Sequence, residues 1–379
     1  MTPRYWKNAQ LVLLLFLQFS PLLLWHRTKL LGAENDGGQG VNLAVFIEGQ
    51  VSVKRKGWTS YAPVVFGASL RPGDLLRLAD SSRAKVVCSD LTLRDISPGI
   101  VGVPCEGAKP LLRRPDGSSV NATRSWPSDG SFPVVLSPRM TRLLSPHPAL
   151  RWTPVKGTAN YHVSVRGINT RGINFSWSRV DSETEITYPD KAPPLEAGVD
   201  YKLIVETSGP NSRSSSDEPG LGLGFSMLGS KEKKTVLEEG EKIESLGLPV
   251  GPTQFLIAHL YATHGLNAEA IQTLERISNT FKVAAVGRLL GDLYMNIGLP
   301  RQAETNYLNS LALCKDGKDE EGEMLVHLAL ARIYGQAMGN VNSASEHLNA
   351  TLALASKLGD DYVIGEVGKR LAEIKKTGT

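Results

Sequence analysis

The amino-acid sequence predicts a multidomain protein in which all-β modules precede an all-α array of paired helices. Gly and Pro, with 37 and 22 copies, crowd into residues 96–150 and 189–252, whereas Pro300 is the only proline after residue 253. Short apolar alternation recurs in the first part, and a helical pattern repeats in the last part. A chain of 379 residues has room for several such units, because one domain takes about 100–200 residues.

An apolar run, LVLLLFLQFSPLLLW, extends from Leu11 to Trp25 and follows the basic residues Arg4 and Lys7. This charge order is typical of a secretory signal or a start-transfer anchor, so residues 1–33 are assigned to a membrane anchor or signal segment. The run is short for a transmembrane helix and suits a cleavable signal. The candidate cleavage site ending at Ala33 lies beyond a charged stretch, which favours a retained anchor over cleavage. Both alternatives place the rest of the chain outside the cytoplasm, on the periplasmic face.

Residues 41–105 show the pattern of a β domain. Val51 and Val53 alternate with Ser52 and Lys54, which indicates a strand that is buried on one face. The sequence RPGD at residues 71–74 predicts a turn, because Pro fixes φ and Gly permits a positive φ.

Several short segments of this domain resemble the FecR-type periplasmic domain. They are Gly49 to Val53, Leu70 to Leu76, Ser81 to Val87 and Leu91 to Leu93. The resemblance implies a periplasmic β domain. In the namesake members this domain follows a cytoplasmic segment that contacts a sigma factor, but only ten residues precede the apolar run here. A role in sigma-factor regulation is therefore not carried over.

Cys88 and Cys105 lie 17 positions apart in the region that we place outside the membrane. In an oxidising compartment we expect them to be bridged, which would stabilise the fold by about 3 kcal/mol; two separate buried thiols are the alternative. They form no CxxC pair and have no His at a metal-ligand spacing, so we expect no zinc site. Cys314 falls on a predicted helix and is expected to pack as a small apolar residue.

A linker is predicted over residues 106–145, and a second β module over residues 146–228. About five strand signals follow one another in this module, which favours a β-sandwich. The Trp152 strand, the Tyr161 strand and the turn from Leu195 to Tyr201 resemble a fibronectin type III-like module. The resemblance implies that Trp152 and Tyr201 are core residues and that the module serves as a spacer or a binding surface. Residues 229–252 are predicted to be a second linker.

The strongest signal is an internal repeat in the helical part. Five positions recur at a shift of 33 residues, and a third copy follows about 40 residues later. The first copy consists of Ala258, Tyr261, Gly265, Ala270 and Leu274. The second consists of Gly291, Tyr294, Gly298, Ala303 and Tyr307, and the third of Ala331, Tyr334, Gly339, Ala344 and Leu348.

Small residues and an aromatic residue at these spacings resemble the tetratricopeptide (TPR) repeat over residues 253–357. The small residues let two antiparallel helices approach, and Tyr or Leu fills the groove between them. Residues 358–379 are predicted to form a capping helix. The resemblance implies an all-α solenoid whose concave face binds protein partners, with His259, Asn296 and His327 as candidate contacts.

No catalytic motif is present: the sequence lacks HExxH, GxSxG and GxxxxGK[ST]. The formal net charge of +4 is too small to indicate a nucleic-acid partner. We therefore expect a membrane-associated extracytoplasmic scaffold that binds protein partners through its TPR-like array and has no enzymatic activity, cofactor or metal. An envelope polysaccharide-binding role or a sensory role for the β modules is the alternative.

Overall fold

The computed structural model describes residues 40–105, 110–113, 130–169, 174–217 and 224–377. Within these residues, β-sheets form the N-terminal part and eight α-helices the C-terminal part. The order of a β-rich region and an all-α region agrees with the prediction from the sequence.

The first β module contains two four-stranded antiparallel sheets whose inner faces share a core. Its strands are β1 (Asn42–Glu48), β2 (Val51–Lys54), β3 (Ala62–Pro63), β4 (Ser69–Leu70), β5 (Leu75–Leu78), β6 (Arg83–Val87), β7 (Leu93–Ile96) and β8 (Gly99–Gly102). One sheet has the order β4-β1-β6-β7 and the other the order β3-β2-β5-β8. Strand β2 buries Val51 and Val53 but not Ser52 and Lys54, which confirms the predicted alternation.

The second β module also contains two sheets. Its strands are β9 (Val135–Ser137), β10 (Thr141–Leu143), β11 (Ala149–Trp152), β12 (Tyr161–Asn169), β13 (Asn174–Asp181), β14 (Glu185–Thr187), β15 (Val199–Thr207) and β16 (Phe225–Met227). One sheet has the order β10-β16-β15-β12-β13 and the other the order β14-β11-β9. Trp152 and Tyr201 lie in the buried core of this module.

Strands β9 and β10 lie within residues 106–145, which the sequence predicted to be a linker. Strand β9 pairs with β11, and β10 runs parallel to the distant β16. Each has only three residues, too few to show an apolar alternation, so only the pairing with another strand defines them.

The helices begin directly after the second module. They are α1 (Ser230–Glu244), α2 (Val250–Thr263), α3 (Asn267–Ser278), α4 (Ala284–Asn296), α5 (Pro300–Asp316), α6 (Glu320–Arg332), α7 (Val341–Leu358) and α8 (Asp361–Thr377), and a π-helical turn, Ile333–Ala337, continues α6. Helix α1 lies in residues 229–252, the second predicted linker. It buries only Val236, Glu239 and Ile243, so its charged surface concealed the helical periodicity.

Three helical hairpins follow, formed by α2 with α3, α4 with α5, and α6 with α7. A glycine with a left-handed backbone ends the first helical segment of each hairpin. The φ angles are 71° at Gly265, 73° at Gly298 and 66° at Gly339. Because this conformation is unfavourable for residues with a Cβ atom, glycine recurs at this position.

The residues that the sequence singled out for helix packing lie at the contacts within and between these hairpins. Every small residue of the set is buried: Ala258, Ala270, Gly291, Ala303, Ala331 and Ala344. Tyr294 is buried as well, and Tyr261 and Tyr334 are partly buried against the same core. At Gly291 an added Cβ would lie 2.5 Å from the ring of Tyr307, so the two helices of that hairpin need a glycine there.

The first β module and the helices share one continuous hydrophobic core. Strand β1 turns Ala44 toward the inside of its own sandwich and Leu43 and Val45 toward the helices. On the helical side, this core includes Phe255 and Leu289. The first four residues of β1 are buried on both faces, so this part of the strand shows no alternation of apolar and exposed residues. Strand β1 thereby joins two regions that the sequence divides.

The prediction of a transmembrane helix is corrected by the structure. Over the parts of the chain that the structure describes, no helix is both long enough and apolar enough to cross a membrane. The apolar run from Leu11 to Trp25, on which the prediction was based, lies outside the described residues.

Candidate functional site

The first helices of the three hairpins, α2, α4 and α6, carry the face that the sequence proposed for partner binding. Much of this face is covered by the chain itself. Phe66, between β3 and β4, packs edge-on against Phe255 of α2 and Phe281 at centroid distances of 5.1 and 4.8 Å. The neighbouring Gly67 lies so close to α4 that an added Cβ would be 2.3 Å from the Cβ of Ala285. The first β module thus seats directly on the first two hairpins.

Polar contacts extend this seat to the third hairpin. The guanidinium group of Arg55 is 6% exposed and pairs with Asp74 of its own module and with Glu321 of α6. The Arg55 Nε atom donates to Glu321 Oε1 at 3.0 Å, and Nη2 donates to Oε2 at 2.6 Å. The indole of Trp58 donates to Asp360 Oδ2 at 2.9 Å, between α7 and α8. Contacts with the first module therefore extend from α2 to the start of α8.

The carboxyl ends of α2 and α4 are covered by Arg113, which follows the first β module, and by residues at β10 of the second module. The Arg113 N–H donates to Thr263 Oγ1 at 3.0 Å, and the Arg142 N–H donates to the Gly265 carbonyl at 2.9 Å. The buried Arg139 donates from Nε to the Ile297 carbonyl at 2.6 Å. The contacts of Arg142 and Arg139 supply donors to carbonyl oxygens just after the two helices, where carbonyl groups lack partners within the helix.

The three candidate partner contacts occupy different environments. His259 is 8% exposed and its ring lies edge-on to Phe255, which contacts the first β module. His327 is 7% exposed, whereas Asn296 at the end of α4 is partly exposed. Two of the three side chains are thus largely covered within the chain, and Asn296 alone of the three keeps substantial access to solvent.

His327 forms a pair with His347 of α7. Their Nδ1 atoms are 2.7 Å apart, so one neutral ring donates and the other accepts, in opposite tautomers. Burial, with a smaller effect of His347 and Lys315, lowers the pKa of His327 to about 4. Burial also lowers the pKa of His347, whose ring stacks on Tyr334 at 5.3 Å. This pair is held neutral at pH 7 and joins the two segments of the third hairpin.

Two tyrosines, the buried Tyr294 and the partly buried Tyr334, link neighbouring helices through carboxylates. Tyr294 donates to Glu275 of α3, and Tyr334 donates to Glu304 of α5 at 2.6 Å. Burial, followed by the hydrogen bond to Glu304, raises the pKa of Tyr334 to about 12. These phenols stay protonated donors across the physiological range, and their role here is to fix one hairpin against the next.

The cysteines fall into two classes. The sulfur atoms of Cys88 and Cys105 are bonded to each other. Because Cys88 follows β6 and Cys105 follows β8, the bond ties the two sheets of the first module together. Cys314 is fully buried on α5, and burial, with the nearby Asp319 carboxylate, raises the pKa of its thiol to about 12. A protonated buried thiol is a poor nucleophile.

Among the residues that the structure describes, no cluster of three or more His, Cys, Asp or Glu side chains could hold a metal ion.

A surface that the sequence did not single out lies on the outside of the first module. The sheet β3-β2-β5-β8 turns one face to solvent, and we call this face the outer sheet face. The strand pairing places the side chains of this face in two rows that run across the strands. The members are Ser52, Lys54, Pro63, Leu75, Arg77 and Ile100. Two of these are exposed large apolar residues: Leu75 is 42% and Ile100 63% exposed. The alternation in β2 had already predicted that Ser52 and Lys54 face outward, but not which strands lie beside them.

No protein-family model matches the chain, and a search of curated proteins likewise finds no match.

Proposed function

We propose that the chain is a non-enzymatic, extracytoplasmic interaction protein whose helical array serves as an internal frame for its β modules. In this proposal, partner proteins bind on exposed surfaces of the β modules. The helices hold those surfaces in a fixed orientation. The observation that carries the proposal is the continuous core in which Leu43 and Val45 of β1 pack with the apolar residues of α2 and α4.

We also propose that the three hairpins are tetratricopeptide-type repeats and that the β modules are FecR-like and fibronectin type III-like. Support for the repeat assignment comes from the recurring left-handed glycines and from the buried small residues at equivalent positions. A tetratricopeptide groove ordinarily offers its inner helices to a separate polypeptide. Here Phe66 and Arg55 already contact those helices, so the first module takes the place of the ligand.

An extracytoplasmic location is supported by the bond between Cys88 and Cys105. Disulfides persist in oxidising compartments and are rare in the cytosol of most organisms, where thiols are kept reduced. A bond that joins the two sheets of a small β module also compensates for the limited core that such a module can bury.

Site-specific photo-cross-linking in cells tests the frame proposal. A photoreactive amino acid is placed, in separate full-length variants, at Leu75 on the first module, at Val180 on the second module and at Asn296 on α4. All three side chains are at least partly exposed. We expect protein adducts from a β-module position and none from Asn296. Adducts from Asn296 alone would show that the helical face binds partners, and the frame proposal would then be wrong.

A further inference from the structure

The large sheet of the second module, β10-β16-β15-β12-β13, turns one face to its own core and the other to solvent. Along β12, Val163 and Val165 lie in the core, so the residues between and beside them point to the opposite face. We call this opposite face the β12 face. Strand pairing brings together six of its side chains, which are Ser164, Arg166, Ser176, Ser178, Val180 and Lys202. Four of the six are exposed, and Lys202 is partly exposed.

Two cations stand side by side on this face. Arg166 of β12 lies directly opposite Lys202 of β15. The Cβ atoms of such a pair are about 5 Å apart, and like charges at this place destabilise a sheet. Two carboxylates of β15, Asp200 and Glu206, flank the cations on the same face, and Glu206 pairs with His162 at 3.5 Å. In the described part of the chain, neither Arg166 nor Lys202 forms an ion pair with them. The pair therefore leaves positive charge without a bound counter-charge.

A buried hydroxyl group without a partner lies beside the cations. Ser164 is two residues before Arg166 on the same face of β12 and is 2% exposed. Its Oγ atom has no hydrogen-bond partner within the described residues. A buried polar atom that lacks a partner costs free energy, which a ligand that accepts its hydrogen bond would recover. Because residues i and i+2 of a strand are about 6–7 Å apart, a carboxylate that Arg166 binds on this side is within reach of Ser164.

The rest of the face favours a protein over a sugar polymer. Val180, diagonal to Ser164 on β13, is an apolar side chain that is 61% exposed. The aromatic residues of β13, Phe175 and Trp177, pack against the core instead. Strand β13 thus offers this face an apolar contact but no aromatic ring on which a sugar could stack. An arginine beside apolar contact area is typical of the surfaces that proteins present to each other.

We propose that the β12 face binds a partner protein through carboxylate side chains of that partner. The inference rests on the proposed function and names both the surface and the partner's chemistry. In the complex, the guanidinium group of Arg166 binds one carboxylate with two parallel hydrogen bonds, and Lys202 pairs with a second. The Ser164 hydroxyl donates to the carboxylate that Arg166 holds. Val180 contacts an apolar side chain of the partner.

NMR spectroscopy of the full-length chain, labelled with nitrogen-15 and with its disulfide intact, tests the site because it detects weak binding and also locates it. The probes are tetraglutamate, tetraglutamine and tetragalacturonate, the last of which carries its carboxylates on a sugar chain. We expect tetraglutamate to shift the amide signals of Ser164, Arg166 and Lys202, and this effect should weaken at high salt. Tetraglutamine should shift none of them, and tetragalacturonate should bind more weakly than tetraglutamate.

Matched variants separate charge from folding. The double variant Arg166→Gln/Lys202→Gln should weaken tetraglutamate binding by about tenfold, which is ~1.4 kcal/mol, without a change in Tm. The control is Lys156→Gln, which removes an exposed cation elsewhere on the same module and should leave the affinity unchanged. Ser164→Ala should weaken binding and yet leave the protein at least as stable, because it removes a buried hydroxyl that has no partner.

Several results would overturn the inference. They are tetragalacturonate binding as tight as that of tetraglutamate, an unchanged affinity of the double variant, signal shifts confined to other surfaces, or self-association of the chain through this face. Photo-cross-linking distinguishes the failure of this inference from that of the frame proposal. Adducts at Val180 should disappear in the double variant. If protein adducts at Val180 persist there, or form only at Leu75, the frame proposal stands and the carboxylate-binding site is wrong.

Discussion

Replacement of Arg55 by Met tests whether the first β module and the helices form one cooperative unit. The guanidinium group joins two carboxylates, from Asp74 and Glu321, whose side chains are 3% and 14% exposed. Burial by itself would lower the pKa of Arg55, but Glu321 and Asp74 outweigh it and raise the pKa. Arg55 therefore remains charged. Methionine fills part of the same space but leaves both carboxylates without their cation.

The size of the effect follows from this geometry. Removal of one member of a buried ion pair costs about 3–5 kcal/mol, because the remaining charge stays desolvated. Asp74 retains the Arg71 N–H as a donor at 2.8 Å, so we expect the lower half of that range. With an unfolding entropy of about 2.1 cal/mol/K per residue over roughly 300 residues, a loss of about 3–4 kcal/mol corresponds to a Tm lower by about 5–6 °C.

Urea unfolding, followed by circular dichroism of the helices and by tryptophan fluorescence, measures the change. The matched control is Lys56→Met, which alters the exposed neighbouring cation and should cost less than about 0.5 kcal/mol. The double variant Arg55→Met/Glu321→Leu should recover part of the loss, because it removes one stranded carboxylate. A loss below about 1 kcal/mol for Arg55→Met, or a helical transition that does not shift with it, would refute the reasoning.

Three further predictions concern the helices and the disulfide. Since the pKa of His327 is lowered to about 4, the unfolded chain binds more protons than the folded chain below the ordinary His pKa of about 6.5. The stabilising contribution of the neutral His327 is therefore complete above about pH 6.5 and is lost as the pH falls toward 4. Urea unfolding at pH 7.5 and 4.5 should show a smaller difference in the free energy of unfolding for His327→Gln than for the parent chain. Gly291→Ala should destabilise the second hairpin by about 1–3 kcal/mol, because the new Cβ meets the ring of Tyr307. The control Gly240→Ala in α1 places its Cβ in open space and should stabilise the protein by up to ~1 kcal/mol. A lower Tm for both variants would contradict the packing explanation. Replacement of Cys88 and Cys105 by Ser should cost about 3 kcal/mol in urea unfolding, and a reductant should destabilise the parent chain but not this double variant.

The elements that were predictable from the sequence are those with a local pattern. The alternation of Val51 and Val53 locates β2, because side chains in a strand point alternately to opposite faces. The repeated Gly265, Gly298 and Gly339 mark the ends of three helical segments, because each position requires a positive φ. Short strands and a charged helix escaped prediction. Strands β9 and β10 are defined by their pairing with β11 and β16, and α1 buries few apolar residues.

The placement of the candidate surfaces was not predictable in this way. His259 and His327 are polar residues on helices, and nothing in the adjacent sequence shows that they are covered. The outer sheet face combines residues from β2, β3, β5 and β8, which come together only through strand pairing.

The sequence by itself determined the order of a β-rich and a helical region, the repeat, and the cysteines available for a bond, because each depends on spacing along the chain. Tertiary structure alone decided that the first module packs on α2, α4 and α6, and which sheet face stays open. The physical reason is that Leu43 and Val45 gain stability only when they meet apolar helical residues more than 200 positions away. The packing of the first module on the helices depends on the total apolar surface that is buried and on charge pairs such as that between Arg55 and Glu321. A local sequence pattern therefore does not predict it.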